Sequence, residues 1–381
     1  MEWQKGYSAT YYAVRVDPFT WRDMERIEIT GGSISRTPDG LMHSADIECV
    51  EYDATIEQWI RVYLDTAQDG SYAHEALFTG LATSPGVNLN GRMQTHTLEC
   101  YSVLKPADDI ALPRGWFAPA GSNAAALVAE LLGVGAAPVE VVGLSPGLTS
   151  TIIAEDGETR LSMAQKVIEA VNWRIRLEGD GTIYIEEKPS EPVAIFDPID
   201  FDVIENEIEI TQDWYKCPNV LMAIDDDLTA TARDDSPNSP LSTVNRGREV
   251  WEIETSVDLG ENESIAEYAQ RRLDTLQQVE QSAEYDRRYV PGVYPGDLIQ
   301  LHYPEQGLDA VYTVNSQSVE LGHSARTTEK VITPAQLIQR RRLGKTVVGI
   351  ASLITDTNDY VVTENGERAT GIYEVTENAG F

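Results

Sequence analysis

Between Tyr285 and Pro304 the chain reads YDRRYVPGVYPGDLIQLHYP, in which Pro291-Gly292 and Pro295-Gly296 lead into a stretch where Leu298, Gln300 and His302 alternate with Ile299, Leu301 and Tyr303. Proline fixes φ and glycine accepts positive φ, so each Pro-Gly step is a turn. The period of two beyond them is that of a half-buried strand. Turns and strand in this order place a loop at the mouth of a β-barrel. Immediately upstream, Glu263 to Ser282 carries Ile265, Ala269, Leu273, Leu276 and Val279 on one face and is read as a long amphipathic helix.

The rest of the chain repeats the strand signal. From Tyr11 to Pro106, Tyr12, Val14 and Val16 alternate, then Ile27 and Ile29, then Ala45, Ile47 and Cys49. Trp59 to Leu64 and Met93 to Leu104 follow, with turns at Gly31-Gly32, Asp69-Gly70 and Asn90-Gly91. Many short alternating strands of this kind suggest a barrel. Composition shifts at Pro113. Ser122 is placed to N-cap an Ala-rich helix over Asn123 to Leu132 that Gly133 ends, and Leu161, Ala164, Val167, Ile168 and Val171 mark a second helix. WRIRLEGDGTIYIEEKP then reads as a hairpin about Asp180-Gly181. Strand patterning resumes after Pro192 and runs to about Thr333, broken by the helix and by the polar loop RDDSPNSPLST.

The expected fold class is mainly β with an α+β insert. Residues 1–110 form a first barrel, 111–192 the insert, 193–333 a second barrel with the helix at 263–282, and 334–381 a short helix and a β-rich extension. Thr333 can N-cap that helix, with Pro334 at its first position, Arg340 to Arg342 in its last turn and Gly344 at its end. A VTEN unit at Val362 recurs at Val375. A tail with too few residues for its own core needs a partner surface, which makes Val362 and Val375 candidates for docking.

Charge narrows the partners. There are 62 Asp and Glu against 29 Lys and Arg, a formal net charge of −33. Sequence-independent affinity for nucleic acid comes from cationic contacts with phosphates, so this balance argues against it. From Ala194 to Glu263 there are 18 acidic residues and 4 basic ones. Glu205, Glu207 and Glu209 alternate with Ile204, Ile208 and Ile210 around Asn206 and read as the outward face of a half-buried strand. Cys49, Cys100 and Cys217 form no CxxC pair, as expected of reduced thiols in a protein folded in a cytoplasm. MEWQKGYSAT lacks the apolar core of a signal peptide, and no stretch is apolar enough to span a bilayer.

Catalytic motifs fail one by one. Gly143-Leu144-Ser145-Pro146-Gly147 has the GxSxG spacing, but the residue that should donate its backbone N–H to an oxyanion is Pro146, which has none. Gly344-Lys345-Thr346 ends like a phosphate-binding loop, yet Gln339 stands where its first glycine should be. Asp225 to Asp227 begin like a calcium loop without the glycine at the sixth position or an acid at the twelfth, Ser236, leaving at most a weak cation site. His43, His74, His96, His302 and His323 have no close metal-ligand spacing.

Helix, Pro-Gly-Asp turn and strand in this order resemble the baseplate hub or tail-tip hub proteins of bacteriophage tails, related in architecture to the base of VgrG spikes. The resemblance implies a structural protein rather than an enzyme, with no catalytic residues and no cofactor. It implies two tube-type barrel modules per chain, so that a homotrimer presents six equivalent surfaces and joins a sixfold tail tube or distal tail protein to a threefold spike or tip. It further implies assembly in the host cytoplasm and residence in the virion tail. DNA would pass along a channel without specific binding, and Glu205, Glu207 and Glu209 are the candidates to line it. The competing readings are a tail-associated receptor- or carbohydrate-binding module, suggested by 17 Tyr and 7 Trp, and a peptidoglycan hydrolase. The latter would need a coherent catalytic constellation that the sequence lacks.

Overall fold

β-branched and aromatic side chains at every second position favour extended backbone, because they pack on a pleated surface at little rotamer cost. The computed structural model describes residues 1–3, 5–52, 56–90, 93–197, 204–212, 214–215, 217–225, 228–255, 264–277, 281–304, 308–322, 326–333, 345–348 and 373–376. It opens with β1 (Ser8–Val16), β2 (Asp23–Ile27), β3 (Ile29–Arg36), β4 (His43–Cys49), β5 (Gln58–Gln68), β6 (Ser71–Asn90) and β7 (Met93–Ser102). Then come α1 (Lys105–Asp108), β8 (Phe117–Ala118), α2 (Ala124–Leu132), β9 (Val139–Val141), β10 (Ile152–Ile153), α3 (Arg160–Ala170), β11 (Trp173–Leu177) and β12 (Ile183–Glu187). The third stretch holds β13 (Ala194–Phe196), β14 (Ile204–Gln212), β15 (Val220–Asp225), β16 (Leu228–Arg233), α4 (Thr243–Arg246), β17 (Trp251–Thr255) and α5 (Ile265–Leu276). The last holds β18 (Gln281–Arg288), β19 (Leu298–Tyr303), β20 (Leu308–Glu320), β21 (Arg326–Ile332), β22 (Lys345–Val348) and β23 (Tyr373–Thr376).

The chain is therefore mainly β, and most of its strands join one sheet. Its order is β14-β18-β21-β20-β3-β4-β7-β6-β5-β1-β2, with β19 paired to β20 and β13 to β19 off that path. Only Glu28 separates β2 from β3, yet β2 pairs with β1 (Ala13 opposite Ile27) while β3 pairs with β4 (Ile34 opposite Ala45). The strands between them must curl until both ends of that stretch meet one bent strand. Inside the curl lie Ile34, Ile47, Ile60, Val62, Leu64, Phe78 and Leu98, all buried. A second core gathers Tyr285, Ile299, Leu301, Tyr312, Val314 and Val331.

Two compact units emerge. One comprises Met1–Glu209 and Ala283–Val331, the other Ile210–Ser282 and Ile332–Phe381. Within the first unit, α2 and α3 share a core with β11 and β12. The cap of α2 falls one residue later than Ser122, because Asn123 has the extended backbone a cap requires and its side-chain oxygen accepts from the Ala126 amide at 2.9 Å. The periodicity of α3 holds: Leu161, Ala164, Val167 and Ile168 are buried, and Thr159 with Ser162 closes a capping box. β11 and β12 form the hairpin, with Ile175 opposite Ile185, and Gly181 takes the positive φ its turn requires.

In the second unit, β15 pairs antiparallel with β16 and parallel with β17, and Ala269 and Leu273 of α5 bury against Leu221, Ala223 and Ala232. The helix is shorter than Glu263 to Ser282. It starts after Ser264, which exchanges hydrogen bonds with Glu267, and Gln281 and Ser282 belong to β18, where the Gln281 carbonyl accepts from the Thr333 amide at 2.9 Å. Val279 and the helix expected after Thr333 lie outside the described residues. β22 and β23 pair antiparallel. Cys49, Cys100 and Cys217 are buried and none is in a disulfide, and burial pushes the Cys49 thiol up to about 11.

Candidate functional site

The double Pro-Gly turn is held from both sides. Gly292 and Gly296 both have positive φ, and the Asp297 amide donates to the Tyr294 carbonyl at 3.0 Å across Pro295-Gly296. Gly296 N–H donates to Val314 O, and Val314 N–H to Asp297 O, each at 2.8 Å, so the turn closes directly onto β20. The buried Asp297 side chain uses both oxygens: one accepts from the Tyr294 amide at 2.7 Å, the other meets Arg174 of β11 at 2.7 Å. Burial raises the Asp297 carboxyl above its ordinary value, and the Arg174 guanidinium draws it back only in part. Tyr294 OH bonds Glu178 beyond β11, and Arg176 stacks over the Tyr184 and Tyr294 rings at 4.5 and 5.2 Å. These bonds tie the turn to the hairpin of the α+β region.

Beneath the turn lies a buried polar chain. Arg287 of β18 and Glu329 of β21 are 1% and 0% exposed and meet through two bonds, at 2.9 and 3.2 Å. Tyr285 OH also bonds Glu329, and Gln317 Nε2 donates to Glu329 Oε1 at 2.6 Å and to Val293 O at 3.0 Å. Burial alone would penalise charge on Glu329, but Arg287 beside it and these donors hold the carboxyl below its ordinary value. Arg36 of β3, opposite Gln317 in register, donates to Leu77 O at 2.7 Å and lies over the Tyr289 and Tyr294 rings. The network thus joins β18, β20, β21, β3 and the turn.

The expected site residues fall elsewhere. Glu205, Glu207 and Glu209 all belong to β14, the outermost strand at one end of the sheet path. Glu209 is exposed, and the side chains of Glu205 and Glu207 lie outside the described residues. Val375 is in β23 opposite Thr346, and Val362 lies outside the described residues. Asp226, Asp227 and His323 do too. Ser145 serves a local purpose: its Oγ accepts from the Ala125 amide at 2.9 Å, at the start of α2, and donates to Pro146 O at 3.1 Å. Among the described residues no three His, Cys, Asp or Glu side chains are arranged to hold a metal ion, and no helix is long and apolar enough to cross a membrane.

What the sequence reading missed is the buried network. Its one signal was the in-phase series Ala283, Tyr285, Arg287, Tyr289, which puts a charge on the same side of a strand as buried residues.

No protein-family model and no curated protein matches the sequence. Solved structures do. A tail protein from Neisseria meningitidis superposes with a TM-score of 0.57 at 15% identity, covering 87% of this chain and 98% of its own. The 43 kDa tail protein of a Shewanella oneidensis prophage gives 0.57 at 16% identity, covering 86% and 99%. The chain has the fold of phage tail proteins. A chain of a Francisella PdpA–VgrG complex gives 0.53 at 7% identity, covering 87% of this chain and 53% of its own. The fold is thus shared between tail proteins and a VgrG-containing complex, as the resemblance implied.

Proposed function

We propose that this protein is a structural component of a phage tail or of a phage-derived injection apparatus. In this reading it is a trimeric baseplate hub whose tube-type barrel modules join a sixfold tube to a threefold spike or tip. The observation that carries the reading is the superposition on two tail proteins over nearly their whole lengths. The buried Arg287–Glu329 chain and the clamped Pro-Gly turn suit a rigid adaptor, since they fix strand positions and expose no reactive group. Native mass spectrometry of the assembled ring is expected to give three copies, and a stable hexamer would overturn the pseudo-sixfold arrangement.

The channel belongs to the same proposal. If Glu205, Glu207 and Glu209 face passing DNA, their repulsion keeps it from adhering over a range of about 8 Å at physiological salt. Replacing all three with lysine is expected to slow genome release while assembly proceeds. Unchanged ejection kinetics in particles shown to contain the variant would remove β14 from the channel. Cryo-microscopy of the same particles would test the docking role of Val362 and Val375, which must lie against the tip component.

A further inference from the structure

We propose that Cys49 of β4 and His96 of β7 form a two-ligand site for copper(I). Such a site is independent of the assembly role proposed above. The two residues are far apart in sequence, but the antiparallel register sets them directly opposite each other. Directly opposed side chains share a face of the sheet, with Cβ atoms about 4.5–5.5 Å apart. Here that face is the inward one: Cys49 is 0% and His96 7% exposed, in phase with Ile47 and Leu98 of the core. Cys100, by contrast, stands opposite Ala45 and Ala82, with no imidazole across from it.

The imidazole has a nitrogen to give. Its Nδ1 is buried and has no hydrogen-bond partner among the described residues, while Nε2 lies 3.1 Å from the side-chain amide of Gln94. With that amide turned so that its oxygen accepts from Nε2–H, the ring is held in the tautomer that leaves the Nδ1 lone pair for a metal. A buried polar atom left unsatisfied is costly, and an ion bound there removes the cost. The ring also lines a cleft of about 980 Å³, which supplies an entry path. Arg15 and Arg26 of its wall are already paired with Glu25 and Glu28, and Glu51 adds a further carboxylate, so the entrance suits a cation rather than an anion.

Ligand number and softness select the ion. Zinc sites are tetrahedral and calcium sites larger still, whereas no three His, Cys, Asp or Glu side chains converge among the described residues. A thiolate with an imidazole is a soft donor pair, and a soft monovalent ion is the kind that two such donors satisfy. Burial keeps the Cys49 thiol protonated at neutral pH, so it is no nucleophile. Copper(I) displaces that proton: the S–H proton leaves to solvent, Cu–S and Cu–N bonds form, and no electron is transferred.

The test is anaerobic titration of the full chain with copper(I) buffered by bicinchoninate, followed by X-ray absorption at the copper edge. A single ion is expected to bind, with sulfur and nitrogen together as its nearest neighbours. Cys49→Ala is expected to abolish binding, and Cys100→Ala and Cys217→Ala to leave it unchanged, with circular dichroism verifying the fold of each. His96→Gln is expected to weaken binding by about tenfold or more, since even an outer partner of a metal ligand is worth that much. If Cys49→Ala misfolds, the wild-type scattering and the His96→Gln affinity decide. A wild-type chain that binds no copper, that shows sulfur without nitrogen, or that binds no more tightly than His96→Gln overturns the site. So does a folded Cys49→Ala chain that still takes up the ion, which would mean adventitious uptake elsewhere.

Discussion

Replacing Glu329 with glutamine is expected to destabilise the first unit by about 3–5 kcal/mol, because it leaves the Arg287 guanidinium buried and uncompensated. For a unit of this size the loss corresponds to a melting shift on the order of 10 °C. The amide cannot serve all the donors that converge here: Arg287 brings two hydrogens, Tyr285 and Gln317 bring one each, and an amide brings two more. Replacing both partners, Arg287→Met with Glu329→Leu, is expected to be less damaging than Glu329→Gln alone, since an apolar pair removes the buried charge that the single change strands. Differential scanning calorimetry on the three proteins decides the matter, and a double variant no better than the single one would show that the pair is not the energetic centre of the network.

The pH dependence has a definite sign. The folded carboxyl of Glu329 lies below its ordinary value, so the unfolded chain binds the more protons in the interval between the two. Its contribution is therefore present above the ordinary carboxylate range and is lost as pH falls through the folded value. The gap in melting temperature between wild type and Glu329→Gln should accordingly narrow in acid. A gap constant down to strongly acidic pH would mean that Glu329 does not act through its charge.

This network also marks where the sequence stopped being legible. The buried faces of α3 and β19 could be read from Leu161 to Ile168 and from Leu298 to Tyr303 because each is set by local periodicity. Arg36 follows the same period-two rule but defeats the inference usually drawn from it, since a charge on a strand is normally assigned to water. Its partner Gln317 is 281 positions away, and no local window contains both. Helix ends shifted for a related reason. Ser122 and Asn123 are both competent caps, and the choice between them depends on which side chain the backbone lets reach Ala126.

The second large effect is expected at Gly179, where the tip of the β11–β12 hairpin meets β6. A Cβ built there would lie 1.8 Å from Ala76 O, 2.4 Å from Ala76 C and 2.9 Å from Leu77 N. These are backbone atoms of a strand that β5 holds there, with Ala76 opposite Tyr63, so no rotamer change relieves the overlap, and the hairpin tip must lift. Lifting breaks the bond from Thr79 Oγ1 to Gly179 O at 2.7 Å and that from Arg61 to Asp180 O at 2.8 Å, both from groups otherwise buried against the sheet. Gly179→Ala is therefore expected to cost about 3 kcal/mol or more, combining overpacking with lost hydrogen bonds. Gly157→Ala makes the control: its φ of +87° strains an alanine, but nothing lies within 4 Å, and a cost nearer 1 kcal/mol is expected. Hydrogen exchange should show the damage confined at first to β11, β12 and the facing part of β6. Because Arg174 and Glu178 also hold the Pro-Gly turn through Asp297 and Tyr294, the turn amides should lose protection together with the hairpin. If the turn stays protected while the hairpin opens, the two are independent, and the ion pair and hydrogen bond between them do not transmit position.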